Sequence, residues 1–124
     1  MAITRKKPLS CPIEVTISIV SARWKARIIW QLAESRKTFT PLKGAVGAVS
    51  DRMLNEQLTQ LIDDKVVDYE QAGQTKRYGL TALGHALLPV LRSMHDWGEK
   101  AVHHRLREEA GDRRAAPHLA SAGG

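Results

Sequence analysis

The sequence lacks several features, and each absence excludes a class of protein. A single cysteine, Cys11, cannot form an internal disulfide, which fits a reducing cytoplasm. No apolar run approaches the roughly 18 residues that cross a bilayer, and no signal-peptide pattern opens the chain. The sequence contains no phosphate-cradling glycine loop, no nucleophile elbow and no metal-ligand set. We therefore expect a cytoplasmic protein that is not an enzyme, does not enter a membrane and holds no cofactor.

Positive charge is what the sequence has in excess. The formal net charge is +6. It is concentrated near the amino terminus, where Arg5, Lys6 and Lys7 lie, and from residue 41 onward the charges of the two signs cancel. A basic excess in a small domain indicates a polyanionic partner, most often nucleic acid.

The 124 residues suit one domain with a tail at each end. Residues 1–10 are a polar, basic arm without periodicity, which either follows a nucleic-acid groove or only aids solubility. Residues 11–106 contain the periodic apolar patterns and form the predicted domain. Residues 107–124 have too little apolar content to pack, and we predict a disordered tail there.

Two helices are predicted in the first third of the domain. Pro12 suits the first turn of a helix, with Cys11 as its N-cap, so residues 12–20 form the first helix. After a break at Ser21 and Ala22, the segment "RWKARIIWQLAE" predicts a second helix, with Lys25 on or near its wet side. The apolar stripe of this second helix consists of Trp24, Ile28, Ile29 and Leu32.

A tight turn and an amphipathic helix follow. Thr40 and Pro41 predict a cap and the first position of a third helix, which Gly44 and Gly47 keep short. The segment "SDRMLNEQLTQL" then opens a fourth helix, capped by Ser50 and ending near Lys65. One face of this helix is apolar, with Leu54, Leu58 and Leu61. The opposite face carries Arg52, Glu56, Thr59 and Asp63, with Asn55 at its edge.

After the fourth helix the apolar period changes to two. Alternation around Val67 and Tyr69, and again around Tyr78 and Leu80, predicts a β-hairpin with Gly73 in its turn. Thr81 then caps a long helix that Pro89 is expected to kink. The order of elements predicts a mainly α fold with a small β-hairpin (α+β), a winged helix-turn-helix with helical dimerisation elements at both ends. In this architecture the second helix of the turn enters the major groove of DNA.

Several blocks of the sequence resemble one family of regulators. "CPIEVTISIVSARWKARIIWQL", "FTPLKGAV", "VSDRMLNEQLTQLIDDKVV", "RYGLTALGHALLPVL" and "WGEK" are similar, in this order, to the HxlR-type transcriptional regulators, winged-helix proteins of MarR-like architecture. The resemblance covers residues 11 to about 100. It implies a cytoplasmic homodimer that binds operator DNA and dimerises through its first and last helices. The predicted interface residues are Ile13, Ile17, Val20, Leu87, Leu91, Met94 and Trp97.

The outward residues of the fourth helix are the candidates for reading bases. We predict base contacts from Ser50, Arg52, Asn55 and Glu56, because arginine pairs bidentately with guanine and asparagine with adenine. Glu56 either accepts from a cytosine amino group or forms a salt bridge. Phosphate contacts are predicted from basic or polar residues that flank this helix, although ordinary surface charge is the alternative for each. These phosphate candidates are Lys25, Thr40, Lys43, Lys76 and Arg77.

Cys11 is the candidate sensor, because a helix N-terminus favours a thiolate and some members of the family use a cysteine at this place as a redox or electrophile switch. The alternative is an inert thiol. Adjacent His103 and His104 point about 100° apart and lack partners at ligand spacing, so no metal is expected. Two competing functions stay open: a winged-helix module for protein–protein contact without specific DNA binding, and a dimer that binds a small-molecule effector.

Overall fold

The structure, a computed structural model, describes residues 11–115 and the side chains of residues 11–111. The predicted arm and residues 116–124 of the predicted tail lie outside this part of the chain. The helices are α1 (Pro12–Val20), α2 (Lys25–Gln31), α3 (Phe39–Val46), α4 (Asp51–Asp63), α5 (Ala82–Ala86) and α6 (Leu88–Ala115). The strands are β1 (Lys37–Thr38), β2 (Val67–Ala72) and β3 (Thr75–Leu80). The prediction of a mainly α fold with a small β element is confirmed.

The sheet is antiparallel and has the order β1-β3-β2. Strands β2 and β3 form the predicted hairpin, in which Ala72 pairs with Thr75 across a turn that contains Gly73 at a φ of 64°. Glycine adopts this left-handed conformation without the steric cost that a side chain brings. The third strand, β1, was not predicted, because two residues are too few to show an alternating pattern.

The hydrophobic core of residues 11–89 lies between α2, α3, α4 and the start of the hairpin. Its most deeply buried side chains are Ile28, Ile29, Leu32, Leu42, Leu54, Leu58, Leu61, Val66 and Val67. Burial of one such side chain contributes about 1.5–3 kcal/mol. The predicted apolar stripe of α4 is therefore confirmed. The buried face of this helix is wider than the stripe, because the polar residues Gln57 and Gln60 are each only 7% exposed.

Two helix boundaries differ from the sequence-based expectation. The third helix begins at Phe39 with Thr38 as its N-cap, so Thr40 and Pro41 lie in the first turn instead of at its start. Proline is tolerated throughout that turn, because the backbone N–H groups there have no partner within the helix. The second helix begins at Lys25 instead of Arg23.

Pro89 divides the long carboxy-terminal helix instead of only kinking it. The helix α5 ends at Ala86, and α6 begins at Leu88. Proline has no N–H to donate to the carbonyl of His85, and its ring crowds that carbonyl, so one continuous helix is strongly disfavoured. The described chain also divides after Pro89 into two compact units.

The described part of the second unit is the remainder of α6, and this helix extends further than expected. The helix continues past Leu106 to Ala115, so residues 107–115 are helical where disorder was predicted. Arginine, glutamate and alanine are strong helix formers, and their frequency here favours a helix. His104 and Glu108 lie 3.4 Å apart at the i,i+4 spacing and add a pair on the helix surface. No helix in residues 11–115 combines the length and the apolar character needed to cross a membrane.

Candidate nucleic-acid interface

The turn between α3 and α4 is held by residues from several elements. The helix α3 ends at Val46, and its C-cap, Gly47, has a φ of 123° that is strained for any residue with a side chain. On α2, Arg27 donates from NH1 to the carbonyl of Val46 at 3.3 Å and lies 5.4 Å from the ring centre of Trp24. Ser50 then caps α4, because its side-chain oxygen accepts a hydrogen bond from the backbone N–H of Met53 at 3.1 Å. The two helices are therefore joined by a short turn with both sides anchored.

The outer face of α4 presents the predicted reading residues to solvent. Arg52 and Asn55 are exposed, and Glu56 is half-buried. Arg52 forms no ion pair with any residue in the described part of the chain, so its five donors are available to a ligand. Ser50 is exposed as well, but its oxygen is already occupied by the cap. Thr59 donates to the backbone carbonyl of Asn55 at 2.9 Å and is thus engaged within its own helix.

The predicted phosphate contacts on the helices have different surroundings. Lys43 is half-exposed and pairs with Asp51, with 2.8 Å between Nζ and Oδ1. Thr40 is exposed in the first turn of α3. Lys25, by contrast, is only 5% exposed. This burial does not favour the predicted phosphate contact by Lys25.

The hairpin, which we call the wing (residues 67–80), has two different faces. On one face the Lys76 ammonium lies 4.5 Å from the ring centre of Tyr69, whose ring is 6.1 Å from that of Tyr78. Tyr78 is 7% exposed, and burial, together with the nearby Tyr69, raises the pKa of its hydroxyl. On the other face Arg77 and Glu70 approach to 3.6 Å. Lys76 and Arg77 are both exposed, as predicted for phosphate contacts.

Arg36 is a residue that the sequence reasoning missed. It precedes β1, yet its guanidinium lies against the second face of the wing. NH2 is 2.7 Å from Oδ1 of Asp68, and Nε is 3.4 Å from Oε2 of Glu70. This Asp68 oxygen is buried, and its contact with Arg36 is an ion pair without hydrogen-bond geometry. One signal was available: glycine at position 79 inside an alternating strand marks a close approach of another group.

The predicted dimerisation helices expose apolar side chains. On α1, Ile13 is 69% exposed and Ile17 is 54% exposed; on α6, Met94 is 49% exposed and Trp97 is 71% exposed. Leu87 is half-buried. Val20 and Leu91 are only 8% and 6% exposed in the single chain, so they offer a partner little surface.

Cys11 and the histidines complete the candidate positions. Cys11 is exposed at the N-cap of α1, and its thiol makes no capping hydrogen bond. On α6, His95, Asp96 and Glu99 offer ligand atoms within 4.8 Å of one another, although all three side chains are exposed. Such groups form surface ion pairs on many helices, so this cluster does not by itself indicate a metal.

Comparison with known proteins agrees with this geometry. The HxlR-like helix-turn-helix family model matches residues 19–106. The HTH-type transcriptional regulator YdeP of Bacillus subtilis (strain 168) is 36% identical over 93 residues, which cover 73% of each chain.

Solved structures of regulators are also similar to this chain. The redox regulator HypR in its oxidised form is 31% identical, with a TM-score of 0.66 over 73% of this chain and 96% of HypR. The quinone-bound YodB from B. subtilis is 30% identical, with a TM-score of 0.65 over 73% of this chain and 99% of YodB. A capped helix after a glycine turn, a wing and a matching family model together lead to one conclusion: this chain belongs to the HxlR-like helix-turn-helix family of transcriptional regulators.

Proposed function

We propose that this protein is a homodimeric transcriptional regulator that binds operator DNA in a sequence-specific manner. The observation that carries the proposal is the outer face of α4, where Arg52 and Asn55 are exposed opposite the buried Leu54, Leu58 and Leu61. The anchored turn before α4 holds this face in one orientation. In a helix-turn-helix protein the second helix enters the major groove, so α4 is the recognition helix.

The proposed reading of bases follows from the chemistry of these side chains. The planar guanidinium of Arg52 matches the two acceptors of guanine, and the amide of Asn55 matches the donor and acceptor of adenine. Glu56 accepts from a cytosine amino group. Lys43, Lys76, Arg77 and Thr40 contact phosphates on either side of the groove and set the register without reading the sequence.

The proposed dimer uses the exposed apolar residues of α1 and α6. On α6, Val90, Met94, Trp97 and Ala101 recur at spacings of three and four, which places them along one side of the helix. Exposed stripes of this kind mark interaction surfaces. A homodimer places two recognition helices in successive major grooves, so its two half-sites are about one helical turn, roughly 10 base pairs, apart.

The proposed signal is an oxidant or electrophile that reacts with Cys11. Two of the similar structures are a redox regulator in its oxidised form and a quinone-bound regulator, and Cys11 is exposed here at a helix N-terminus. With a quinone, the thiolate sulfur adds to a ring carbon and forms one S–C bond. The thiol proton and the displaced ring proton move to the two oxygens and leave a hydroquinone adduct, so no further oxidant is needed.

Two measurements test this function. An operator is selected from random duplexes, and binding is then measured across a salt series, where phosphate contacts impose a steep negative slope. Binding that is insensitive to salt, or an operator without two-fold symmetry, would contradict the proposal. For the signal, benzoquinone is expected to add one adduct to the wild type and to change its operator affinity. Cys11→Ser, which contains no thiol, is expected to show neither effect.

A further inference from the structure

Arg36 joins the strand β1 region to both strands of the wing. Its side chain is 27% exposed. Besides the contacts with Asp68 and Glu70 on β2, its NH1 donates to the backbone carbonyl of Arg77 on β3 at 3.2 Å. One guanidinium thus contacts both strands on the second face of the wing.

The register of the wing provides the space for this side chain. Across the two strands Glu70 pairs with Arg77, and Asp68 pairs with Gly79. Because Gly79 has no side chain, the guanidinium of Arg36 lies in the space that a side chain at this position would fill. A Cβ atom at Gly79 would stand 2.7 Å from Cγ and 2.9 Å from Cζ of Arg36. An alanine there therefore displaces the side chain of Arg36 without changing any charge.

Glu70 lies between two arginines. Its Oε2 is 3.4 Å from Nε of Arg36, and its Oε1 is 3.6 Å from NH1 of Arg77. Without Arg36, the carboxylates of Asp68 and Glu70 would both act on Arg77 alone. They would hold its guanidinium and repel an approaching phosphate. With Arg36 present, its positive charge offsets the two carboxylates, and Arg77, which approaches Glu70 only to 3.6 Å, is held less strongly.

From this arrangement we infer that Arg36 is a positioning residue for nucleic-acid binding, which occupies the two wing carboxylates and so keeps Arg77 available to a phosphate. The inference rests on the proposed DNA-binding function. Arg36 is not itself assigned a phosphate, because its guanidinium already forms ion pairs with Asp68 and Glu70 and donates to the carbonyl of Arg77.

The first experiment compares variants in their binding to the selected operator and to a scrambled duplex across a potassium chloride series. Arg36→Ala is expected to weaken binding to both duplexes and to flatten the slope of log K against log salt by about 0.9, the value for one phosphate contact. Adding Glu70→Gln to Arg36→Ala is expected to restore the slope, because Arg77 is then released. Adding Asp63→Asn instead restores the same net charge at the end of α4 without removing any of the ion pairs of the wing, and is expected to leave the slope flattened.

Gly79→Ala is the second variant, and it provides the test if Arg36→Ala does not fold. It keeps all charges and is expected to flatten the slope in the same direction. A wild-type slope in Gly79→Ala, or equal rescue by Glu70→Gln and Asp63→Asn, would overturn the inference. The first result would mean that Arg36 does not act on Arg77, and the second that only the net charge matters.

A DNA-free measurement separates this inference from the proposed function. Side-chain NMR of Arg77 reports the rotation of its guanidinium, which is slowed by a carboxylate partner. Arg36→Ala is expected to slow this rotation, and the further change Glu70→Gln is expected to reverse the effect. An unchanged Arg77 signal would refute the role of Arg36 whether or not the protein binds DNA. Absence of salt-dependent binding by the wild type, with the Arg77 effect intact, would instead count against the proposed function.

Discussion

Lys43 of α3 and Asp51 of α4 form an ion pair of 2.8 Å across the turn that joins the two helices. Asp51 is the first residue of α4, and its side chain is 71% exposed. The carboxylate therefore lies at the end of the helix that we propose enters the major groove, and it holds a lysine that we propose contacts a phosphate.

Asp51→Asn is expected to strengthen binding to all duplexes, because it releases Lys43 and removes a negative charge that faces the phosphates. It is also expected to lower the free energy of unfolding by up to about 1 kcal/mol, since an acidic residue in the first turn stabilises a helix and an exposed pair adds little. The matched control is Asp63→Asn, which removes the same charge at the other end of α4. A larger gain in DNA affinity from the control than from Asp51→Asn would contradict the assignment.

Residues proposed to contact bases and residues proposed to contact phosphates differ in how their substitution changes binding to different DNA sequences. Arg52→Ala or Asn55→Ala is expected to reduce preference for the operator by about 1–3 kcal/mol at the base that each reads. Lys76→Ala is expected to weaken binding to operator and scrambled duplexes alike and to flatten the salt slope by about one unit. Fluorescence anisotropy with both duplexes measures these losses. The reverse pattern would show that α4 is not the reader.

The proposed dimer depends on apolar residues of α6. Met94→Glu or Trp97→Glu is expected to produce monomers, because a charge in an apolar interface loses its hydration without a partner. His103→Glu places the same charge elsewhere on the exposed surface of α6 and is expected to leave the dimer intact. Light scattering at micromolar concentration measures the mass. A monomeric wild type would refute the dimer, and so would dissociation by the control alone.

Two glycines provide opposite tests of packing. A Cβ atom at Gly84 would collide with the backbone carbonyl of Val66, while one at Gly44 meets no atom within 4 Å. Gly84→Ala is therefore expected to destabilise the protein by about 1–3 kcal/mol. Gly44→Ala, inside α3, is expected to stabilise it by about 0.5–1 kcal/mol, because alanine loses less backbone entropy in a helix. Urea denaturation measures both changes, and similar unfolding midpoints would show that the packing around Gly84 is loose.

The raised pKa of Tyr78 makes stability depend on alkaline pH. Because burial raises its pKa in the folded protein, the unfolded chain loses this proton first. The contribution to stability is complete below about pH 10, the ordinary pKa of tyrosine, and is lost as the pH rises through the higher folded value. Tyr78→Phe is expected to reduce the fall in unfolding free energy above pH 10. The same alkaline slope in both proteins would assign the effect to other groups.

Much of the fold was predictable because its signals are local. The cap at Ser50 and the stripe of Leu54, Leu58 and Leu61 depend on residues three or four apart. The cap at Thr81 also acts over three residues, since its oxygen accepts from the N–H of Gly84. The hairpin follows from an alternation of two around a glycine. Each signal is read within one turn of helix or one pair of strands, so the chain by itself determines the helix-turn-helix and the wing.

Tertiary structure decided which side chains are available at the candidate site. The periodicity of α2 placed Lys25 near solvent, but packing buries it, and the same packing buries Gln57 on α4. Two residues predicted for the interface, Val20 and Leu91, are also buried. Whether a side chain is covered depends on elements that are distant in sequence. The apolar period of one helix therefore predicts the direction in which a side chain points, but not the residues that pack against it.

The contact of Arg36 with the wing shows most clearly the limit of prediction from local sequence. Its hydrogen bond to the carbonyl of Arg77 joins residues separated by 41 positions. It exists because β1 pairs with β3 and because Gly79 leaves room for a guanidinium. From its local sequence the chain determined a helix-turn-helix with a basic wing. Only the folded arrangement decided which of those basic side chains are engaged by carboxylates and which remain available to DNA, because ion pairs form between groups that the fold brings within a few ångströms.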